Sequence, residues 1–93
     1  MTNNQQTALF HIRDAMFYRA YAIKRTGMRY ERARFEMLNS MRQALRSINR
    51  VENHTIKARA KSQWFKTWNR LQIEFGRWTL EDWFEAELRS VNA

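Results

Sequence analysis

The stretch Arg50-Val51-Glu52-Asn53-His54-Thr55 decides how the middle of this chain folds. Before it, the apolar residues of segment 38–48 recur at spacings of three and four, which places them on one helical face. Beyond it, segment 56–75 has an apolar face of its own. If one straight helix ran through both segments, the centres of the two apolar faces would lie about 120° apart around its axis. A heptad repeat carried through would put Glu52 and Arg59 into the apolar seam, which a coiled coil does not tolerate. The apolar register therefore breaks in this stretch.

This break predicts two helices, near residues 28–51 and 55–75, with Asn53 or Thr55 capping the second. The alternative is one merged helix over residues 28–75, about 70 Å long, whose apolar surface winds from one neighbour to another. Neither proline nor glycine interrupts this segment, so both arrangements stay open at the level of the sequence.

Upstream of the break, a first helix is predicted over about residues 5–25. Gly27 follows it and is suited to the left-handed conformation that ends helices. Its apolar residues recur every three or four positions, which predicts that they face the core. The residues expected on that inward face are Leu9, Ile12, Met16, Ala20 and Ile23.

Downstream, Gly76 is expected to end the third helix, and a short last helix is predicted over about residues 80–90. Thr79 is expected to cap it, and acidic residues in its first turn suit the helix dipole. Helical spacing predicts an inward apolar face with Trp83 beside it. That face consists of Leu80, Phe84, Leu88 and Val91.

Composition favours an all-α fold. The 93 residues include no proline and two glycines, whereas sheet proteins draw heavily on both residue types for their turns. We therefore predict one domain over residues 1–93, a small bundle of about four helices, three long and one short and C-terminal.

Several classes of function find no support in the sequence. Cysteine is absent, the two histidines lack further metal ligands at suitable spacing, and no glycine-rich phosphate loop occurs. The carboxylates lack a nucleophile or base arranged for catalysis. We therefore expect no catalytic residues, no metal, no cofactor and no small-molecule substrate. With no signal-peptide pattern and no long apolar run, we also expect a soluble cytoplasmic protein without a membrane partner.

Charge is the strongest functional signal. The net charge is +8, and residues 1–73 hold 15 basic and 4 acidic side chains. Basic residues recur along the second and third helices on faces predicted to be solvated. Two neighbouring helices with such ridges would form a positive surface able to follow a phosphate backbone. The predicted nucleic-acid-binding residues are Arg42, Arg46, Arg50, Lys57, Arg59, Lys61, Lys66 and Arg70.

The four tryptophans form the second functional signal. Aromatic residues at helical spacing are usually core, but four tryptophans are many for a domain of this size to bury. Some are therefore expected at a protein interface, and base stacking is a further alternative. The candidates are Trp64, Trp68, Trp78 and Trp83.

Two hypotheses of function follow. The first is a binding module that contacts nucleic-acid phosphates through arginine-rich helix faces. The second is a regulator or inhibitor that docks on a larger, acidic host protein through aromatic-rich helices, a type that phages and mobile elements encode. A basic body with an acidic last helix also predicts a homodimer or an obligate partner.

Overall fold

Four helices form the chain. The computed structural model describes residues 3–92, and the side chains of residues 3–89 among them. The helices are α1 (Asn3–Ile23), α2 (Gly27–Asn49), α3 (His54–Phe75) and α4 (Leu80–Asn92). The structure is 87% helical and contains no strand within the described residues. The all-α prediction is confirmed.

The central stretch does separate two helices. Helix α2 ends at Asn49, and Asn53 caps α3 by accepting a hydrogen bond from the Ile56 backbone N–H at 3.0 Å. Val51, between the two helices, is buried, so the connection packs against the core. The prediction of two helices is therefore confirmed over that of a single merged one.

Small side chains set the packing of α1 against α2, the most extensive contact between helices. Three alanines of α1 recur every seven residues and are almost fully buried. Small buried residues of α2 show the same repeat. Short side chains on both helices allow a close approach of the two axes. The repeating residues are Ala8, Ala15 and Ala22 of α1, and Ala33, Ser40 and Ser47 of α2.

The predicted inward face of α1 is wrong. Leu9, Ala20 and Ile23 are exposed, while Ile12 and Met16 are only half-buried. The alanine seam lies about 100° around the helix from the predicted face. The larger apolar residues flank the contact because there is no room for them between two closely packed helices.

Helix α3 runs antiparallel to α2 and closes the core. The Trp64 indole Nε1 donates to the Met41 carbonyl at 2.7 Å, and the Arg34 Nε donates to the Phe75 carbonyl at 2.8 Å. The first contact joins the middle of α3 to α2, and the second joins the C-terminal end of α3 to the first half of α2. The largest fully buried apolar side chains of the core are Met37, Leu38, Met41 and Ile48 of α2 and Leu71 of α3.

The predicted breaks at the two glycines are confirmed. Gly27 has φ +61° at the start of α2, and Gly76 has φ +86° at the end of α3, a region that L-residues with side chains rarely adopt. Thr79 and Asp82 then cap α4 reciprocally. The Asp82 N–H donates to Thr79 Oγ1 at 3.1 Å, and the Thr79 N–H donates to Asp82 Oδ2 at 2.9 Å.

The alanine seam generates a stability prediction. Ala15→Leu should lower the free energy of unfolding by about 1–3 kcal/mol, because the added carbons have no space between α1 and α2. Ala20→Leu, the same change on the exposed side of α1, should alter it by less than about 0.5 kcal/mol. Urea denaturation followed by circular dichroism measures both. A larger loss of unfolding free energy for Ala20→Leu than for Ala15→Leu would contradict the alanine seam and support the buried face predicted from periodicity.

Candidate functional site

Arg42, the first member of the predicted basic ridge on α2, is fully buried rather than solvated. Residues four apart differ by about 40° in direction around a helix axis, so the ridge of Arg42, Arg46 and Arg50 winds around α2. Arg42 is the member that lies nearest to the apolar face of the helix. Helix α4 covers that side of α2. Arg42 therefore belongs to the interior, and its assignment to a nucleic-acid surface is wrong.

The buried guanidinium of Arg42 holds α4 in place. Its Nη1 donates to Glu87 Oε1 at 2.9 Å, and its Nη2 donates to the Ala86 carbonyl at 3.3 Å and to Asn39 Oδ1 at 3.2 Å. The Arg42 side chain is 0% exposed and that of Glu87 is 40% exposed. A buried charge needs such partners, because burial without them is costly.

The remaining cations of α2 form one exposed surface, which we call the α2 arginine face. Arg29, Arg32 and Arg46 lie on it together with Arg50, the C-terminal cap of the helix. The four lie within about 100° of one another around the axis and extend over about 31 Å. None forms an ion pair with a carboxylate among the side chains of residues 3–89. Half-buried Glu36 lies between the two pairs of arginines.

One end of this face adjoins a further cation and a tyrosine from α1. The Arg25 guanidinium lies 4.4 Å from the centre of the Tyr21 ring. The pKa of the Tyr21 hydroxyl is lowered. A hydrogen bond with Arg25 is the largest cause, and the positive charges of Arg25, Arg29 and Arg32 act in the same direction, although desolvation opposes the shift. Arg25, Arg29 and Arg32 therefore bring three positive charges close to one another at the α1–α2 turn.

Sequence reasoning missed this end of the surface. Arg25, Arg29 and Arg32 were not among the predicted nucleic-acid-binding residues. The density of positive charge along the sequence could have identified them, because five of the eleven residues 24–34 are basic.

The basic residues of α3 face a different direction. Arg59, Lys66 and Arg70 are exposed, and they lie about 130° around the helix from Trp64 and Leu71, which pack toward α2. Helix α3 therefore separates its own cations from those of α2. The expected continuous surface made by both ridges does not form. Lys57 and Lys61 are half-buried rather than free flanking cations.

Arg70 is also engaged in an ion-pair network. Glu74 accepts from Arg70 Nε at 3.0 Å and from Arg19 of α1 through Nε at 2.7 Å and Nη2 at 3.1 Å. The hydrogen bond from Arg19, followed by that from Arg70, lowers the pKa of Glu74 although partial burial opposes the shift. This network ties α1 to α3.

The four tryptophans form a ring cluster inside the protein. The ring of Trp68 stacks on those of Trp64 and Trp78, with ring centres 5.2 Å and 5.1 Å apart. It meets the Trp83 ring edge-on, with the centres 5.8 Å apart. Trp64 is 2% exposed and Trp78 is 8% exposed. The prediction of interface tryptophans is wrong for these two buried residues, while Trp68 and Trp83 are half-buried and belong to the same packed cluster.

The outer side of α4 carries an exposed apolar surface. Leu80, Phe84 and Leu88 are 75%, 61% and 63% exposed, so the prediction that they face inward is wrong. Ala86 takes the inward position because a small side chain lets α4 approach Arg42 closely. Val91, predicted on the same face, lies outside the described side chains. We call the three exposed residues the α4 apolar face.

An open apolar groove of about 430 Å³ lies between the first half of α1 and the first half of α3. Leu9 and Ile12 form one wall, Ile56 and Ala60 form the other, and Arg59 lies at the rim. No acidic residue lines it. We call it the α1–α3 groove.

The histidines and carboxylates form no metal site within the described residues. Burial lowers the pKa of His11 despite the nearby negative charge of Asp14, and His54 is exposed at the start of α3. Among the described helices, none has the length and apolar character needed to cross a membrane.

Comparisons with protein-family models, curated proteins and solved structures find no match to this chain.

Burial of Arg42 generates a test of how α4 is held. Glu87→Gln should lower the free energy of unfolding by about 2 kcal/mol, because it leaves the buried guanidinium without its counter-charge. Glu85→Gln is the matched control, since it breaks an exposed pair with Arg89 and should cost less than about 0.5 kcal/mol. Urea denaturation followed by tryptophan fluorescence measures both. Equal effects would contradict the role assigned to Arg42.

The Glu74 network predicts a pH dependence. Folding lowers the pKa of Glu74 from its ordinary value of 4.5. The charged carboxylate therefore stabilises the fold fully at pH values above 4.5, and this stabilisation is lost as the pH falls through the lowered pKa. Glu74→Gln and Arg19→Ala should each flatten the decline in unfolding free energy between neutral pH and about pH 3. Denaturation curves across that range measure the slope, and wild-type slopes in both variants would refute the coupling.

Proposed function

We propose that this protein binds nucleic acid through the phosphate backbone, with the α2 arginine face as the contact surface. The observation that carries the proposal is the presence of four exposed arginines on one face, about 31 Å long, without partner carboxylates within residues 3–89. Four other arginines, Arg19, Arg42, Arg70 and Arg89, are held by Glu74, Glu85 or Glu87. The unpaired ones keep their donors for a ligand.

Arginine suits this role because its planar guanidinium donates two parallel hydrogen bonds to a phosphate. Binding would be driven by release of counterions from the nucleic acid and would depend steeply on salt. Glu36, one turn beyond Arg32, repels phosphate between the two pairs of arginines, so contact is made at the two ends of the face. Arg29 and Arg32 form one end, and Arg46 and Arg50 form the other, with about 21 Å between the pairs.

Sequence preference should be weak. Phosphate contacts position a protein on nucleic acid, whereas bases are read by side chains that reach their edges. The α2 face is poor in aromatic residues. The tryptophans, which would stack on bases, are packed against one another, with Trp64 and Trp78 buried and Trp68 and Trp83 half-buried. The proposal is therefore a backbone binder with little discrimination among sequences.

Salt dependence tests the proposal. Arg29→Ala and Arg46→Ala should each weaken binding to unrelated duplexes alike and lower the slope of log affinity against log salt by about one. Lys66→Ala removes the same charge from the exposed face of α3 and should leave the slope unchanged. Fluorescence anisotropy with labelled oligonucleotides measures these slopes. An effect of Lys66→Ala equal to that of Arg46→Ala would move the contact to α3, and no binding at about 50 mM salt would overturn the proposal.

A regulator that docks on a larger host protein is the second candidate function. The α4 apolar face supports it, because contiguous exposed apolar side chains are typical of protein interaction sites. In that function the anchors would be Phe84 and its neighbours rather than the tryptophans, of which Trp64 and Trp78 are buried.

A further inference from the structure

The α4 apolar face has the dimensions and pattern of a docking helix. Leu80, Phe84 and Leu88 follow one another at spacings of four, so they form a continuous strip about 12 Å long. All three are more than 60% exposed, which leaves the strip uncovered by the described part of the chain. Amphipathic helices that dock into grooves present their apolar anchors with this spacing.

Negative charge flanks the strip on both sides. Glu81 and Glu85 lie along one edge, where Arg89 pairs with Glu85, and Glu87 lies along the other, where Arg42 holds it. Glu81 forms no ion pair among the described side chains, so two such helices placed face to face would bring its charge close to carboxylates of the other copy, which disfavours pairing of α4 with its own copy. A surface that covers this strip must be apolar at its centre and neutral or basic at its rim.

The α1–α3 groove has these properties. It is lined along α1 from Gln5 to Ile12 and along α3 from Ile56 to Gln63, about 10 Å on each wall, close to the length of the α4 strip. Its floor and walls are apolar, Arg59 lies at its rim, and no carboxylate lines it. It is complementary to α4 in length, polarity and charge.

The helix α4 of the same copy does not fill this groove. The guanidinium of Arg42 and the contact of Trp83 with Trp68 hold α4 against α2 and α3, whereas the groove opens between α1 and α3. We propose that the chain forms a dimer in which the α4 apolar face of each copy docks into the α1–α3 groove of the other. This interface is independent of the α2 arginine face and of the proposed nucleic-acid binding.

Complementation between two variants tests the dimer. Phe84→Glu places a charge on the strip, and Ile56→Glu places one in the groove, so each variant alone should dissociate at least about tenfold more readily than the wild type. In an equimolar mixture, the intact strip of one variant meets the intact groove of the other. The mixture should therefore form a mixed dimer, with affinity between that of either variant and that of the wild type. Sedimentation equilibrium over a concentration series measures all four samples.

Matched controls separate docking from general effects of charge or folding. Ile73→Glu makes the same change as Ile56→Glu on the exposed side of α3, and Phe17→Glu makes the same change as Phe84→Glu on α1; both should keep the wild-type association. Ile56 is the third residue of α3, where glutamate is favourable near the helix N-terminus, so this variant should fold. Leu88→Ser offers a milder change of the strip, and circular dichroism checks each fold.

Three outcomes would overturn the proposal. A wild-type monomer throughout the concentration series excludes the dimer. If the Phe84→Glu variant dissociates while the Ile56→Glu variant associates like the wild type, α4 pairs with a surface other than the α1–α3 groove. Failure of the folded mixture to associate would exclude the reciprocal contact between strip and groove. Because no nucleic acid is present, none of these outcomes bears on the salt-dependent binding proposed for α2.

Discussion

Burial of the Arg42 guanidinium is the constraint on which the surface of this protein depends. The side chain reaches two adjacent residues of α4, the Ala86 carbonyl and the Glu87 carboxylate, so both the position and the rotation of that helix are fixed. With Ala86 turned inward, Leu80, Phe84 and Leu88 are turned outward. One buried charge thus decides which face of α4 is exposed.

Two groups of arginines differ in the partners of their guanidinium groups. Arg19 and Arg42 join separate helices by binding carboxylates, and Arg34 joins α2 to the end of α3 by donating to three backbone carbonyls between residues 75 and 77. The arginines of the α2 face lack such partners among the described side chains. A high arginine content therefore serves two purposes in this chain, since one group stabilises the packing of helices and the other supplies surface charge.

The helices, their ends and the buried face of α2 could be predicted from the sequence, whereas the faces that α1 and α4 bury could not. Asn53, Thr79 and the two glycines act locally, so their effects are readable from neighbouring residues. The buried face of α1 is made of alanines, which contribute little to an apolar pattern, and it becomes decisive only through the small residues opposite it on α2. Likewise, the periodicity places Arg42 beside the apolar face but does not show that α4 covers it.

The stack of indole rings has an optical consequence. Trp64 and Trp68 belong to α3, Trp78 to the following loop and Trp83 to α4, and their rings are held about 5 to 6 Å apart. Electronic transitions of aromatic rings at such separations couple, which gives the folded chain a near-ultraviolet circular dichroism spectrum that isolated tryptophans lack. Since the rings come from three successive segments, the amplitude of that spectrum reports whether the loop and α4 are seated on α3, without an added label.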